Sequence, residues 1–169
     1  TQTASLKLTV QKRILFGSIV IFIAKLGAYF LTNSVGILTD ALESIVNVVA
    51  GILAVVSISI SIKPHDENHP FGHGKVESLS ASVEGILIIL AGIVIVFEAV
   101  KRLFVPSPID GLGIGILIIA IGGLFNFLLG WYSIRVGKKN NSIALVAGGK
   151  HLQSDTYSSI GLLVGLLLL

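Results

Sequence analysis

Five apolar runs, each long enough to cross a lipid bilayer, constrain the fold of this chain more than any other feature. They cover residues 14–32, 36–62, 76–103, 111–136 and 142–169. A spanning α-helix needs about 20 mostly apolar residues, and the runs reach that length. The segments between them are short and have turn-forming compositions. The pattern predicts an all-α membrane protein, a transmembrane helix bundle of which five spans are present.

The supply of charged residues supports lipid as the solvent. Only 12% of the chain is charged and 53% is hydrophobic, whereas soluble domains carry about 25% charged residues. The net charge of +3 comes from residues scattered at segment ends, so no basic stripe indicates a nucleic acid partner. Cysteine is absent, which excludes a disulfide framework and any thiolate metal site.

The distribution of basic residues predicts the orientation of the bundle. If the N-terminus is cytoplasmic, the inner side also carries the 63–75 loop and most basic residues, and the opposite side carries Lys101 and Arg102. Short cytoplasmic loops collect Lys and Arg, so we expect the N-terminus inside. The last apolar run has not ended where the sequence does, and we expect the chain to be part of a longer protein.

Two polar pairs inside the spans have helical spacing. Glu43 and Asn47 lie four residues apart in the second run, and His151 and Asp155 lie four residues apart in the fifth, so each pair shares one helix face. Counting about 1.5 Å per residue from the opposite helix ends places Asn47 and Asp155 near a common level in the membrane. Together the pairs offer an imidazole, two carboxylates and an amide oxygen, which is a donor set for a divalent metal. A hydrogen-bonded interhelical link is the alternative for the His–Asp pair.

Other polar residues in the spans have less definite expectations. Asp40 is expected to cap or orient the second helix, and Lys25 and Lys150 to snorkel or to neutralise carboxylates. The pattern gives no role to Glu84. Gly161 and Gly165 have the small-xxx-small spacing that permits close helix packing in lipid.

The 63–75 loop contains three of the four histidines in the chain. Asp66, His69 and His73 could gather a cation from solution, or the segment could be a solvated turn shaped by its prolines and glycines. The residues themselves leave these two alternatives open.

Three segments carry a resemblance to a known family. "SVGILTDALES", "DENHPFGHGKVESLSA" and "KHLQSD", in that order, resemble the transmembrane domain of the cation diffusion facilitator family, and the similarity covers nearly the whole chain. The resemblance implies six transmembrane helices, of which the sixth is absent here, and a cytoplasmic metal-binding domain that is also absent. It implies a homodimer that exchanges a divalent cation against protons.

The resemblance also assigns site residues. The family's transport site matches Glu43, Asn47, His151 and Asp155, and a loop site found in some members matches Asp66, His69 and His73. Zinc-selective members commonly have Asp or His followed by Asp on the second helix, where this chain has Glu and Asn. Zinc is the expected substrate because His151 suits a borderline ion, with manganese, iron, cobalt, nickel and magnesium as alternatives.

The sequence therefore predicts a proton-coupled exporter of divalent cations that works by alternating access, in a bacterial or archaeal inner membrane. An enzyme is not expected, since a membrane metallohydrolase would typically carry a motif such as H-E-x-x-H, which is absent. A non-transporting assembly subunit with polar interhelical links is the alternative from another class.

Overall fold

The computed structural model describes residues 2–32, 35–63, 73–104 and 112–167, and these form five α-helices. The helices are α1 (Gln2–Thr32), α2 (Val35–Ser61), α3 (Lys75–Phe104), α4 (Leu112–Lys139) and α5 (Ile143–Leu167). The prediction of an all-α bundle with one helix per apolar run is confirmed. The bounds agree to within three residues except at the start of α1.

The first helix begins twelve residues before the first apolar run. Residues 2–13 are mostly polar but contain no proline or glycine, so nothing in them interrupts the hydrogen-bond ladder. Hydropathy therefore marked the part of α1 that suits lipid and missed its polar extension.

Four of the helices contain stretches apolar and long enough to cross a membrane. These stretches are Ser5–Leu31, Ile37–Ser61, Lys75–Val94 and Ile116–Lys139. The described part of α5 contains no such stretch, because its apolar sequence is interrupted by Lys150, His151, Gln153 and Asp155. The fifth span stays a prediction.

The bundle has a polar interior and an apolar exterior. Among the described residues, polar side chains are at least as common as apolar ones in the buried set. The outer face of α3 exposes Ile86, Ile89, Ile93 and Phe97. A water-soluble domain has the reverse arrangement, so the distribution fits an integral membrane protein whose solvent is lipid.

A tight turn joins α4 to α5. Asn141 has a positive φ of 49°, the left-handed conformation that commonly ends a helix, which Asn tolerates better than most residues. The backbone N–H of Ser142 then donates to the carbonyl of Gly137 at 2.9 Å. The Ser142 hydroxyl accepts a hydrogen bond from the N–H of Leu145, as an N-cap of α5 does.

Glycines let α4 and α5 cross at close range. A Cβ built on Gly149 would lie 2.7 Å from the carbonyl oxygen of Gly130, and a Cβ on Gly130 would lie 2.7 Å from the carbonyl oxygen of Gly149. The close packing that the Gly161 spacing permits is not seen among the described residues, none of which lies within 4 Å of a Cβ built on Gly161. Small-residue spacing indicates which helices can pack closely, but the crossing point depends on the partner helix.

Candidate metal site between two helices

Asn47 of α2 and Asp155 of α5 are in direct contact. The Asn47 Nδ2 donates a hydrogen bond to the Asp155 Oδ2 at 2.5 Å. Because α2 and α5 also pack against each other as helices, this bond lies inside their interface. The prediction that the two residues share a level in the bundle is confirmed.

Several polar atoms around this contact have no hydrogen-bond partner among the described residues. They are the Oδ1 of Asn47 and both ring nitrogens of His151. Asn47 and His151 are 6% and 4% exposed, so water does not readily satisfy these atoms. Buried polar groups are normally hydrogen-bonded, and unsatisfied donors and acceptors on adjacent helices indicate a place that can take a polar ligand.

Glu43 lies near this cluster but is not part of a closed cage. Its side chain is partly exposed and lies within electrostatic reach of Asp155 and Asp40. Within the parts of the chain that the structure describes, no three imidazole or carboxylate groups lie close enough together to hold a metal ion. In this conformation, therefore, Asn47 and Asp155 are hydrogen-bonded to each other, and Glu43 and His151 lie near them. The four predicted ligands do not form a complete coordination shell.

A buried ion pair joins the C-terminal half of α1 to the N-terminal half of α2. The Lys25 Nζ lies 2.9 Å from the Asp40 Oδ1, with side chains 4% and 7% exposed, and donates a hydrogen bond to the Ser44 Oγ at 3.0 Å. The expectation that Lys25 neutralises a carboxylate is confirmed. Asp40 orients α2 through this pair but does not cap the helix. It lies five residues after Val35, the first residue of α2, and the backbone N–H groups at that depth already have partners within the helix.

Most of the predicted loop site falls outside the described residues. Asp66 and His69 belong to this undescribed part, while His73 lies just before α3, where its carbonyl accepts from the N–H of Val76. The two alternatives for the loop therefore remain as the sequence left them.

The structure adds one polar cluster that the sequence did not predict. The Glu77 carboxylate accepts hydrogen bonds from Ser61 at 3.1 Å and from Ser142 at 2.8 Å, and it lies 3.6 Å from the Lys7 Nζ. Four helices thus meet at one carboxylate, and an open cavity of about 530 Å³ lies beside it. Glu77 sits in the first turn of α3, which suggests a local helix-dipole role from sequence alone; only the fold reveals its partners.

Comparison with known proteins places the chain among metal transporters. A family described as the cation efflux transmembrane domain matches residues 12–169. An uncharacterised transporter of Synechocystis is 43% identical over 86% of the chain and 47% of its own length. The manganese efflux system protein MneP of Bacillus subtilis is 32% identical over 91% of the chain and 52% of its own length. The cation-efflux pump FieF of Citrobacter koseri is 30% identical over 86% and 49%. The chain spans about half the length of the curated relatives it matches.

Proposed function

The chain belongs to the cation efflux family, and we propose that it is the membrane part of an exporter of divalent metal cations. Family members are transporters and not enzymes, so the ion is the substrate and no bond in it is made or broken. Its route lies through the interior of the bundle, between α2 and α5.

The observation that carries this proposal is the Asn47–Asp155 contact with its unsatisfied neighbours. A merely structural interhelical link would leave few polar atoms unpaired, since each buried unpaired group costs about 1–3 kcal/mol. Here the Asn47 Oδ1 and both nitrogens of His151 have no partner within the described parts of the chain. A cation that binds Asn47, His151 and Asp155 satisfies these atoms, and Glu43 adds a second carboxylate from the partly exposed side.

The donor set suits a transition metal of borderline or harder character. Zinc is favoured by the imidazole of His151, and manganese by the oxygens of Glu43, Asn47 and Asp155. The name of the Bacillus relative states manganese efflux. We propose zinc or manganese as substrate, with iron, cobalt, nickel and magnesium to be compared in the same assay.

Proton exchange supplies the driving force in this proposal. Metal ligands must be deprotonated to bind, so metal and protons compete for His151 and the carboxylates. Histidine suits this role because its unperturbed pKa is about 6.5. Alternating access then exposes the same ligands to either side, in a homodimer with its N-terminus in the cytoplasm of a bacterial or archaeal cell and the bundle in the inner membrane.

The loop residues have a supporting role in the same proposal. Asp66, His69 and His73 gather metal at the cytoplasmic side. Replacing all three with Ala is expected to lower flux at low metal concentration and to preserve it at saturation. Loss of flux at every concentration would instead make the loop an obligatory site.

Flux into proteoliposomes tests the proposal directly. The purified protein is reconstituted and assayed with a panel of divalent ions under an imposed pH gradient. Asp155→Ala and His151→Ala are expected to abolish flux while the protein still elutes as a folded species. Lys150→Ala changes an exposed residue on the same helix and is expected to retain wild-type flux.

The same assay separates the transporter from an assembly subunit. A subunit held together by polar interhelical links would show no metal-dependent flux, and Asp155→Ala would affect only its stability. Wild-type flux in both the Asp155→Ala and His151→Ala variants would refute the assignment of α5.

A further inference from the structure

A stripe of buried polar residues follows α3 from its first turn into the bundle. Glu77, Ser80 and Glu84 are 6%, 7% and 1% exposed. Their spacing of three and four residues places them on one face of the helix. That face is turned inwards, while Leu79 and Ile86 on other faces are exposed.

Glu84 is the least satisfied carboxylate in the described part of the chain. Both of its oxygens are buried and lack a hydrogen-bond partner there, and so does the Oγ of Ser80 one turn away. Ser44 and Glu77, which are buried to a similar extent, do have partners. A buried carboxylate without a partner is strongly unfavourable, so this position calls for a ligand.

The Glu84 carboxylate points at α5. A Cβ built on Gly148 would lie 3.6 Å from the Glu84 Oε2 and 3.9 Å from its Oε1. Glycine therefore leaves open the space next to the carboxylate that a side chain would fill. His151 follows three residues after Gly148, on the same side of α5, and Asp155 follows one turn later.

Helices α3 and α5 together form a polar track, by which we mean a continuous row of polar residues inside the bundle. At one end Glu77 borders the open cavity, which Lys7 and Asn140 also line. Glu84 lies seven residues further along α3, about 10 Å deeper. The Gly148–His151–Asp155 face of α5 continues the track to Asn47.

We infer that Glu84 and Ser80 form a second cation-binding position, between the open cavity and the Asn47–Asp155 pair. Its ligands are carboxylate and hydroxyl oxygens, which prefer harder divalent ions such as Mn²⁺. This inference rests on the proposed function, because it gives the transported ion a first stop on its way from the inner end of the bundle. Nothing in the family resemblance assigns either residue to a site.

Mn²⁺ titration of the purified protein in detergent tests the inference. Free Mn²⁺ is followed by its electron paramagnetic resonance signal, which is lost on binding. Glu84→Gln keeps the shape of the side chain and removes the charge, and it is expected to weaken one class of bound Mn²⁺ by about tenfold or more. Ser80→Ala is expected to weaken the same class to a smaller extent.

Ser82→Ala is the matched control, because Ser82 is exposed on the same helix and donates to the carbonyl of Ser78; its titration should equal that of the wild type. The titrations are repeated in an Asp155→Asn background. Loss of the Glu84-dependent class in both backgrounds supports the inference. The inference is overturned if the Mn²⁺ titration curve of Glu84→Gln superimposes on that of its parent protein in both backgrounds. If Glu84→Gln does not fold, a Ser80→Ala curve equal to that of Ser82→Ala overturns the inference instead.

Failure of the proposed function has a different signature. It would appear as an absence of metal-dependent flux through the reconstituted wild-type protein, whatever the Mn²⁺ titrations show. The two proposals are therefore refuted by separate measurements.

Discussion

Replacing Asn47 with Asp changes one atom type at the centre of the candidate site. In the present structure the Asn47 Nδ2 donates to the Asp155 Oδ2. An aspartate has no such donor and puts a second carboxylate against the first. Without metal the variant is expected to be less stable, and with metal it is expected to gain more stability than the wild type gains.

The size of both effects follows from the contact. A hydrogen bond to a charged group contributes about 1.5–3 kcal/mol, and repulsion between the carboxylates adds to its loss. The free energy of unfolding without metal should therefore fall by at least about 2 kcal/mol. If the added carboxylate strengthens metal binding tenfold, metal at a fixed saturating concentration stabilises the variant by about 1.4 kcal/mol more than the wild type.

The assay is unfolding in mixed detergent micelles, with and without Zn²⁺ or Mn²⁺. Gln11→Glu is the matched control, because Gln11 is also a buried amide and its Nε2 faces the carbonyl of Gly51 on the α1 side of α2. The control should lose stability in the metal-free protein. It should show no metal-dependent gain beyond that of the wild type.

Two outcomes would refute the reasoning. If Asn47→Asp is as stable as the wild type without metal, the hydrogen bond to Asp155 contributes nothing. If metal stabilises Asn47→Asp no more than the wild type, Asn47 does not face the ion, and the part of the site on α2 is wrong.

Two further predictions concern the packing that holds the site in place. Lys25→Met leaves Asp40 as an uncompensated buried charge and is expected to cost about 3–5 kcal/mol of unfolding free energy. Lys12→Met, at an exposed position of the same helix, should change the unfolding free energy by less than about 0.5 kcal/mol. Equal effects of the two substitutions in the same unfolding assay would contradict a stabilising Lys25–Asp40 ion pair. Gly149→Ala places a methyl group 2.7 Å from a backbone oxygen of α4 and should cost about 1–3 kcal/mol of unfolding free energy. Gly161→Ala meets no described residue within 4 Å and should be neutral or slightly stabilising. The opposite order of the two effects would show that α4 and α5 cross at Gly161 instead.

The positions of the helices could be predicted because lipid imposes a length and a composition on each span. The level of Asn47 against Asp155 could also be predicted, since the rise per residue in a helix is fixed. The four-residue spacing also assigned Glu43 and Asn47 to one face of α2, and His151 and Asp155 to one face of α5. These features depend on a single helix at a time, or on two helices that start from opposite membrane surfaces.

The partners of the polar residues could not be predicted in the same way. Lys25 of α1 pairs with Asp40 and Ser44 of α2, and Glu77 joins α1, α2 and the start of α5. Sequence spacing relates neither Lys25 nor Glu77 to its partners. Which faces meet depends on how closely helices approach. That approach is decided by shape, as at Gly130 and Gly149, where two backbones touch.

The sequence by itself determined that this chain forms membrane helices and which residues bring ligand chemistry into them. Only the tertiary structure decided that Asn47 binds Asp155, that His151 has no hydrogen-bond partner among the residues described, and that Glu84 points at Gly148. The physical reason is that helix formation in lipid is satisfied by hydrogen bonds within each segment. The rotation and the crossing of the helices are set by packing between segments, which no single segment encodes.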